Sequence, residues 1–529
     1  MTVQAVTECQ AKGISFEETF RYQYVISKTA SSLPGFKSRV VDGFLIQSGK
    51  DLKVCDLIDG SGAVIGCFLG VAAGHDGALI DGQPIAKLDA GDPAFWKRFA
   101  EWIRHVAGRY AVVVTARGET RYYCDAVGMI GACYSSETGR IASSTFLCTD
   151  QGLRFNPVFN RDEIEAGKAI DGLLMTEDET VKRLNPSFFI RLSDLSQERF
   201  WPLTELFEAN EEQYLDIYSE IIAAEQNIIT AITSAHPTSL AMSGGNDSRV
   251  LLALAGPARE NFAIIHTNIN NYAGRRDAVC AQMTCQALGL RHATFNRSKS
   301  IMPTDLDKVI AQYQIAAGTV GPAPAEVRNG LVKRLPDNLV IMRGHQTNHL
   351  RGQYLPSAAK GRWMRVPWQV KRMDLLPRPV ADMEAAKRFY PIIEGVVASQ
   401  SKNANIRRAE ITFIETLIST ALGKLFNGMT HGFYLSPYNS RRLIELSLSF
   451  DTAYRFANLT TQDLLHLAEP SITSVPFIWE MPANLDDPPD HEKLAQKRLD
   501  IEARIERLRQ LADVKPETEQ AVEQGPDKP

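Results

Sequence analysis

Residues 238–256 have the sequence TSLAMSGGNDSRVLLALAG, in which a short apolar strand runs into two glycines and then into an apolar helix. Adjacent glycines let the backbone approach a ligand closely, and the first turn of a helix has amide N–H groups without intrahelical partners. Ser243 and Ser248 add hydroxyl donors, so the segment is predicted to bind an anion. Asp247 would repel a bare phosphate, and a Mg²⁺ ion between the two removes that repulsion. The segment therefore predicts a site for pyrophosphate with Mg²⁺.

A purely structural interpretation of this segment is a Gly-Gly turn capped by serine and aspartate at the start of a helix. The segment lacks the GxxxxGK[ST] pattern, so it is not a Walker-type loop.

The composition of the chain excludes several classes of protein. Its 529 residues include 58 Lys and Arg against 62 Asp and Glu, a formal charge of −4 that argues against a general nucleic-acid or anionic-membrane binder. No apolar run reaches about 18 residues, so no membrane partner or span is expected. The eight cysteines form no CxxC pair, which excludes a zinc ribbon and a dense disulfide scaffold. With no export signal visible, a cytoplasmic location is predicted.

The sequence pattern divides the chain into two domains and a tail. Residues 1–205 contain short β-branched and aromatic runs separated by Gly, Asp and Ser, which predict stacked sheets with helices over 94–105 and 161–174. In residues 206–485 helices alternate with apolar strands, which predicts an α/β domain with a parallel sheet. Residues 486–529 are predicted to form a charged helix over 491–513 and a disordered end. The predicted strands are 20–27, 44–46, 64–70, 110–115, 121–124, 188–192, 239–242, 262–266 and 339–342.

The SGGNDSR segment resembles the SGGxDS pyrophosphate loop of the PP-loop ATP pyrophosphatases, particularly the branch that includes asparagine synthetases, β-lactam synthetases and lasso-peptide cyclases. Residues 108–144 are similar to the glutaminase-domain stretch of that branch, with its "DxxG" turn and "ASS"-like strand. Residues 276–292, with Asp277 as the acidic residue, and 436–448 resemble two synthetase segments. The resemblance extends to about residue 480, and only the first motif is individually specific. It implies an Ntn-type, glutaminase-like domain followed by a PP-loop synthetase domain that binds ATP and Mg²⁺.

The N-terminus departs from the glutamine-hydrolysing members of this family. Those members need a cysteine as the first mature residue, because its free α-amine activates the thiol. Position 2 is Thr2, the first predicted strand begins near Phe20, and Cys9 is internal. An N-terminal threonine nucleophile is the alternative, but such a residue must stand at the head of a strand. We expect a degenerate, structural glutaminase fold that does not release ammonia from glutamine.

Residues 343–354, RGHQTNHLRGQY, take the place of the family's "SGDGxDELFGGY" loop, which supplies a second Mg²⁺-binding aspartate. Gly344 matches, whereas His345 and Asn348 replace the two aspartates and His349 replaces the glutamate. The G-H-x-x-N-H-x-x-G-Q frame also resembles a frame found in some lasso-peptide cyclases. Asn348 keeps an oxygen ligand without the charge, which predicts weaker Mg²⁺ binding. The alternatives are an inactive loop that no longer binds a metal ion, or a transition-metal site at the two histidines.

Two further segments were weighed. The family's late lysine has no counterpart in residues 452–480, where Arg455 is the candidate cation, although a guanidinium is not equivalent to an ammonium. Residues 360–378 interleave cations with Trp363 and Trp368. This pattern fits a site for an acidic peptide, a polyanion or single-stranded nucleic acid, or alternatively a solvated loop.

These features predict an AMP-forming amide-bond ligase that adenylates a carboxylate and couples it to a nitrogen nucleophile, for example as a macrocyclase. The expected partner is a small-molecule or peptide carboxylate with an amine; nucleic acid is not expected, and a homodimer is left open. The alternatives are a nucleotide-binding pseudoenzyme, an asparagine-synthetase-type amidotransferase that uses ammonia, and a tRNA-modifying PP-loop enzyme. The predicted catalytic residues are Asp247, His345 and His349; the predicted nucleotide-binding residues are Ser243, Gly244, Gly245, Asn246, Asp247, Ser248 and Gly344; the predicted metal ligands are Asp247 and Asn348.

Overall fold

The computed structural model describes residues 3–80, 88–296, 304–352, 366–378, 383–485 and 487–513. Over these residues the chain is mixed α/β, with two antiparallel sheets in the N-terminal half and a parallel five-stranded sheet in the C-terminal half. The mixed α/β class predicted from the sequence is confirmed at this level.

The N-terminal half is built on strands that pair as two six-stranded antiparallel sheets, in the orders β10-β8-β9-β1-β3-β2 and β12-β11-β7-β6-β5-β4. The strands are β1 Tyr24–Ser27, β2 Lys37–Val41, β3 Phe44–Ser48, β4 Val54–Ile58, β5 Val64–Gly74, β6 Val106–Ala116, β7 Glu119–Cys124, β8 Cys133–Ser135, β9 Arg140–Ala142, β10 Lys182–Arg183, β11 Phe188–Arg191 and β12 Gln197–Arg199.

The second of these sheets is covered on both faces. On β5, Leu69 and Val71 share a core with Tyr24 of the first sheet, and Phe68 points to the opposite face. There it packs with the apolar stripe of the helix Phe95–Arg104. Because side chains alternate along a strand, one continuous apolar run supplies both cores.

Most of the predicted elements of this half are confirmed, and two predictions were wrong. The helix predicted over 161–174 is only Arg161–Glu165, because Gly167 adopts a left-handed conformation with φ 67° and ends it. The strand predicted from Phe20 begins four residues later, since Phe16–Thr19 is helical. The helices of this half are Gln4–Lys12, Phe16–Thr19, Phe95–Arg104, Thr145–Cys148 and Arg161–Glu165.

The parallel sheet of the C-terminal half has the strand order β15-β14-β13-β16-β17. Its strands are β13 Thr238–Ala241, β14 Phe262–Ile269, β15 Ala293–Asn296, β16 Val340–Met342 and β17 Phe433–Leu435. From the central β13 the chain adds two strands on one side and then crosses to add two on the other. The order therefore reverses between β13 and β16, where Leu240 lies opposite Met342. Doubly wound sheets bind ligands at the carboxyl ends of strands beside such a reversal.

Helices surround the parallel sheet, and no described helix is long and apolar enough to span a membrane. The helical stretch over 408–428 contains a π turn at Ile414–Ile418. The helices are Tyr214–Ala235, Asn246–Leu254, Tyr272–Ala287, Leu306–Ala317, Ala325–Arg328, Val366–Arg372, Met383–Lys387, Tyr390–Ser399, Arg408–Phe413, Ser419–Gly428, Arg441–Ser449, Thr452–Phe456, Leu459–Ala468 and His491–Asp513.

Buried polar contacts join the two halves. Arg441 donates to the Cys124 carbonyl at 3.0 Å, and the Asn439 amide donates to Asp125 Oδ1 at 2.8 Å. In the other direction Arg109, which is fully buried, donates to Asn427 Oδ1 at 2.5 Å. Two stretches singled out in the sequence, 108–144 and 436–448, therefore contact each other.

The charged helix predicted over 491–513 is confirmed as His491–Asp513, and it packs on the C-terminal half. Leu494, Ile501, Ile505 and Leu508 are buried, whereas Leu499 is exposed. Residues 514–529, predicted to be disordered, lie outside the described residues.

Candidate functional site

A cavity of about 270 Å³ opens at the carboxyl ends of β13, β14 and β16. Its walls come from the segments that leave these three strands, so it lies beside the strand-order reversal. The lining includes Ser243, Asp247 and Ser248 from the segment after β13, Thr267, Asn268 and Asn270 from β14 and its end, and Arg343, Gly344 and His345 after β16.

The glycine turn after β13 is closed by its own side chains. The Ser243 N–H donates to Ser248 Oγ at 2.9 Å, and the Gly244 N–H donates to Asp277 Oδ1 at 2.8 Å. Gly245 is the N-cap residue of the helix Asn246–Leu254. Because it makes no side-chain hydrogen bond, the N–H groups of the first helical turn have no capping side chain. The N–H groups of this first helical turn are the kind of donors that bind phosphate oxygens, whereas those of Ser243 and Gly244 are bonded within the protein.

Close backbone approach explains the glycines at 244 and 344. A Cβ at Gly244 would lie 2.8 Å from the Cys280 Cβ and 3.1 Å from the Ile478 Cβ. A Cβ at Gly344 would lie 2.3 Å from the Asp247 carbonyl carbon. A side chain at either position would therefore clash, and at Gly344 the loop after β16 lies directly against the backbone of the helix that follows β13.

Asp247 lies on the cavity wall with 39% of its side chain exposed. Its Oδ1 accepts hydrogen bonds from Arg351 Nη2 at 2.6 Å and from Thr347 Oγ1 at 3.3 Å. Burial raises the pKa of the Asp247 carboxyl above its ordinary value, and the Arg351 charge opposes that rise. The carboxylate is therefore held by the loop that follows β16.

The two histidines of this loop have different positions. His345 lines the cavity, and its Nδ1 has no hydrogen-bond partner among the described residues. His349 is buried in the turn Thr347–Arg351 and is not part of the cavity wall. Burial lowers the pKa of both imidazoles to about 3, so both are neutral near pH 7. The arrangement does not support the prediction that the His349 ring acts directly in catalysis.

The loop does not form a transition-metal site with its histidines. Across the described ranges no group of three or more His, Cys, Asp or Glu side chains is placed to hold a metal ion. A Mg²⁺ site that uses one protein carboxylate together with phosphate oxygens falls outside this criterion.

Arg455, the candidate cation, does not face the cavity. Its side chain is fully buried, forms an ion pair with Glu410, and donates to the His349 carbonyl at 2.9 Å from Nε. Arg455 therefore binds the loop backbone through the His349 carbonyl, and it is not available as a cation for a ligand.

Two predicted residues have side chains outside the cavity wall. Asn246 is buried and its amide donates to Asn458 Oδ1 at 3.5 Å. Asn348 lies in the turn Thr347–Arg351, and its role as a metal ligand stays a prediction.

An ion pair on the cavity wall was not predicted from the sequence. Arg343 Nη2 lies 2.7 Å from Glu326 Oε1, and the guanidinium stacks 5.1 Å from the centre of the Tyr434 ring. Arg343 Nε and Asn268 Oδ1 have no partner among the described residues. Such atoms are expected where a polar ligand completes a site. The position of Arg343 directly after an apolar strand was a usable signal, whereas Glu326 had none.

In the N-terminal half, no described residue presents a free amine or thiol at the head of β1. Cys9 is buried in the helix Gln4–Lys12, and burial raises its thiol pKa to about 11. Just before β1, Gln23 Oε1 accepts from Ser143 Oγ at 2.8 Å and from Ser144 Oγ at 2.7 Å. Thr2 lies outside the described residues.

The basic and aromatic stretch over 360–378 is only partly described. Trp368, on the helix Val366–Arg372, contacts the Phe413 ring edge-on at 6.0 Å. Trp363 lies outside the described residues, so polyanion binding by this stretch stays a prediction.

Neither a family model nor a curated protein matches this chain.

Proposed function

We propose that this chain is an ATP-dependent, AMP-forming amide-bond ligase. The parallel-sheet half would be a PP-loop synthetase domain, and the antiparallel half an Ntn-type, glutaminase-like domain without glutamine hydrolysis. The observation that carries the proposal is the position of residues 243–248. This glycine turn lies at the carboxyl end of β13 beside the strand-order reversal, with Asp247 in the first helical turn and Gly344 against it. Phosphates bind at helix N-termini in this type of sheet.

The cavity suits Mg²⁺ with a nucleotide. Asp247 offers a partly exposed carboxylate, and Asp277 adds a second carboxylate to the wall. Mg²⁺ in nucleotide sites commonly uses one or two carboxylates, with phosphate oxygens and water as the other ligands. When bound, the ion would offset negative charge on the phosphates.

The proposed reaction has two steps. A substrate carboxylate oxygen would form a bond to the α-phosphorus of ATP while the bond to the pyrophosphate oxygen breaks, and pyrophosphate leaves with that electron pair. The N–H groups of the first turn of the helix Asn246–Leu254 and the hydroxyls of Ser243 and Ser248 would hold the departing group. A nitrogen nucleophile would then attack the acyl carbon, release AMP and lose one proton.

His345 and the pair formed by Arg343 and Glu326 would orient the reactants. The neutral His345 ring, whose buried Nδ1 has no hydrogen-bond partner among the described residues, suits hydrogen bonding to the nitrogen nucleophile better than storage of its proton, because its pKa is low. The ion pair offers one charge of each sign to a polar substrate.

The structure of the N-terminal half favours a substrate, and not glutamine, as the source of the amine. Two helices precede β1, Cys9 is buried, and the Gln23 side chain occupies hydrogen-bonding groups of Ser143 and Ser144. The substrate that fits best is therefore a peptide or small molecule whose carboxylate is coupled to an amine.

The test is exchange of labelled pyrophosphate into ATP across a panel of carboxylates, with detection of AMP. The ligase should give exchange with at least one acid, and Asp247→Asn should abolish it. Asp216→Asn is the matched control, because Asp216 is an exposed first-turn aspartate of another helix, Tyr214–Ala235. ATP hydrolysis to ADP, with AMP absent for every acid, would contradict the proposal.

A nucleotide-binding pseudoenzyme is the second candidate. One observation favours it: Asp247, the predicted metal ligand, is bound by Arg351. This candidate predicts ATP binding without exchange or AMP for any combination of acid and amine.

A further inference from the structure

The loop after β16 presents positive charge to the cavity. Residues 343–352 contain no carboxylate, and their cations are Arg343 and Arg351. His345 and His349 are neutral because burial lowers their pKa to about 3. A loop of this charge is suited to contact an anion directly, and it cannot supply a carboxylate to a second metal ion.

Arg351 is directed at the phosphate turn. Its Nη2 lies 2.6 Å from Asp247 Oδ1, and Asp247 belongs to the helical turn that carries the amide donors. The Arg351 side chain is 23% exposed, and its Nη2 reaches Asp247, which lines the cavity.

The backbone that leads into Arg351 is held by hydrogen bonds and by close packing. Arg455 donates to the His349 carbonyl, and Thr460 Oγ1 donates to the Leu350 carbonyl at 2.7 Å. At the other end of the loop Gly344 lies against the Asp247 backbone. The guanidinium is therefore held beside the turn before any ligand binds, which is the preorganisation that electrostatic catalysis requires.

The bond between Arg351 and Asp247 is one that a phosphate can replace. Ion pairs between partly exposed side chains add little net stability, because water competes with both partners. A guanidinium forms paired hydrogen bonds to phosphate oxygens in the same geometry that it uses for carboxylates.

We infer that Arg351 is a catalytic residue that binds the pyrophosphate part of ATP and offsets its charge as it leaves, in the role of a second metal ion. This inference rests on the ligase proposed above. The bond from the α-phosphorus to the bridging oxygen breaks, its electron pair stays on pyrophosphate, and Arg351 donates hydrogen bonds to that group without transferring a proton. Asp247, released from Arg351, is left as the carboxylate for one Mg²⁺ ion.

The test needs no knowledge of the acid substrate. Binding of inorganic pyrophosphate with Mg²⁺ is measured by calorimetry for the full chain and for Arg351→Met, Arg351→Gln and Arg351→Lys. Loss of a charge-assisted hydrogen bond should weaken binding roughly ten- to hundredfold for Met and Gln, and less for Lys. Arg191→Met is the matched control, since Arg191 is 31% exposed, is ion-paired and lies in the antiparallel half; it should bind like the unchanged protein.

A count of bound metal gives a second readout. Electron paramagnetic resonance with Mn²⁺ in place of Mg²⁺ should find one ion per bound pyrophosphate; two ions would overturn the inference. Equal or tighter binding by a folded Arg351→Met or Arg351→Gln would also overturn it, because Arg351 would then only block Asp247. Failure of the unchanged protein to bind either ATP or pyrophosphate would remove the proposed function itself, which separates the two failures.

Discussion

Gly344 and Asp247 are in direct backbone contact: a methyl group on the Gly344 α-carbon would lie 2.3 Å from both the carbonyl carbon and the carbonyl oxygen of Asp247. The contact joins the loop after β16 to the helix start after β13, across the strand-order reversal. Because the atoms belong to the backbone, no side-chain rotation relieves a clash there. The glycine turn after β13 and residues 343–352 are therefore held as one unit.

Gly344→Ala should separate these two loops. Overpacking of a tight contact typically costs about 1–3 kcal/mol of stability, and we expect ATP–Mg²⁺ affinity to fall as well. Chemical denaturation measures the first effect and calorimetry the second.

The control for that variant is Gly395→Ala. A Cβ at Gly395 meets no atom within 4 Å, and the residue lies in the helix Tyr390–Ser399. Because alanine is the better helix former, this change should be neutral or stabilising by up to about 1 kcal/mol. Equal changes of stability in Gly344→Ala and Gly395→Ala would contradict the backbone contact between Gly344 and Asp247.

The two glycines of the phosphate turn should differ in their tolerance of alanine. At Gly244 the added Cβ would lie 2.8 Å from the Cys280 Cβ, whereas at Gly245 the nearest atom is the Ser243 Oγ at 3.5 Å. Gly244→Ala should lower the free energy of unfolding by about 1–3 kcal/mol, and Gly245→Ala should change it by less than about 0.5 kcal/mol. Urea denaturation compares them, and a larger loss for Gly245→Ala would show that the turn is packed differently.

His345 makes stability depend on pH in a defined direction. Burial lowers its pKa to about 3 from the ordinary value of 6.5, so below pH 6.5 the unfolded chain binds a proton that the folded chain does not. Stability from this group is complete above pH 6.5 and is lost as the pH falls towards 3, by up to about 1.4 kcal/mol per pH unit. His345→Gln should have a shallower loss between pH 6.5 and 5 than the unchanged protein. Parallel pH profiles would mean that His345 titrates normally.

Gln23→Glu should destabilise the junction of the two halves. The Gln23 amide nitrogen donates to the Ala316 carbonyl at 2.8 Å, and a carboxylate cannot make that bond. An unsatisfied buried carbonyl facing a new charge should cost about 2–4 kcal/mol. Gln10→Glu, at an exposed position, should have little effect. Thermal denaturation compares the two, and equal melting temperatures would argue against the buried network.

Elements with a strong local pattern were predictable from the sequence. The apolar runs of β6 and β13 and the apolar stripe of Phe95–Arg104 are local properties, and the structure has them at the expected positions. The helix predicted over 161–174 failed because Gly167 and Leu173 adopt positive φ, which periodicity does not reveal.

The site was predictable where chemistry and spacing are local. Ser243 and Ser248 belong to one short segment, and both line the cavity. The pairing of Arg351 with Asp247 joins residues about a hundred positions apart in the chain, and only tertiary packing brings them together. The same is true of Arg455, whose burial behind the loop could not be inferred from its type or its position.

Transfer of oxygen from a carboxylate to AMP tests the central claim most directly. The protein is incubated with ATP, Mg²⁺, an amine and the carboxylate that gives pyrophosphate exchange, labelled with ¹⁸O in the carboxyl group. If that carboxylate attacks the α-phosphorus in the cavity beside Asp247, mass spectrometry should find one ¹⁸O in each AMP released. AMP without the label, or ADP as the only nucleotide product, would contradict the ligase.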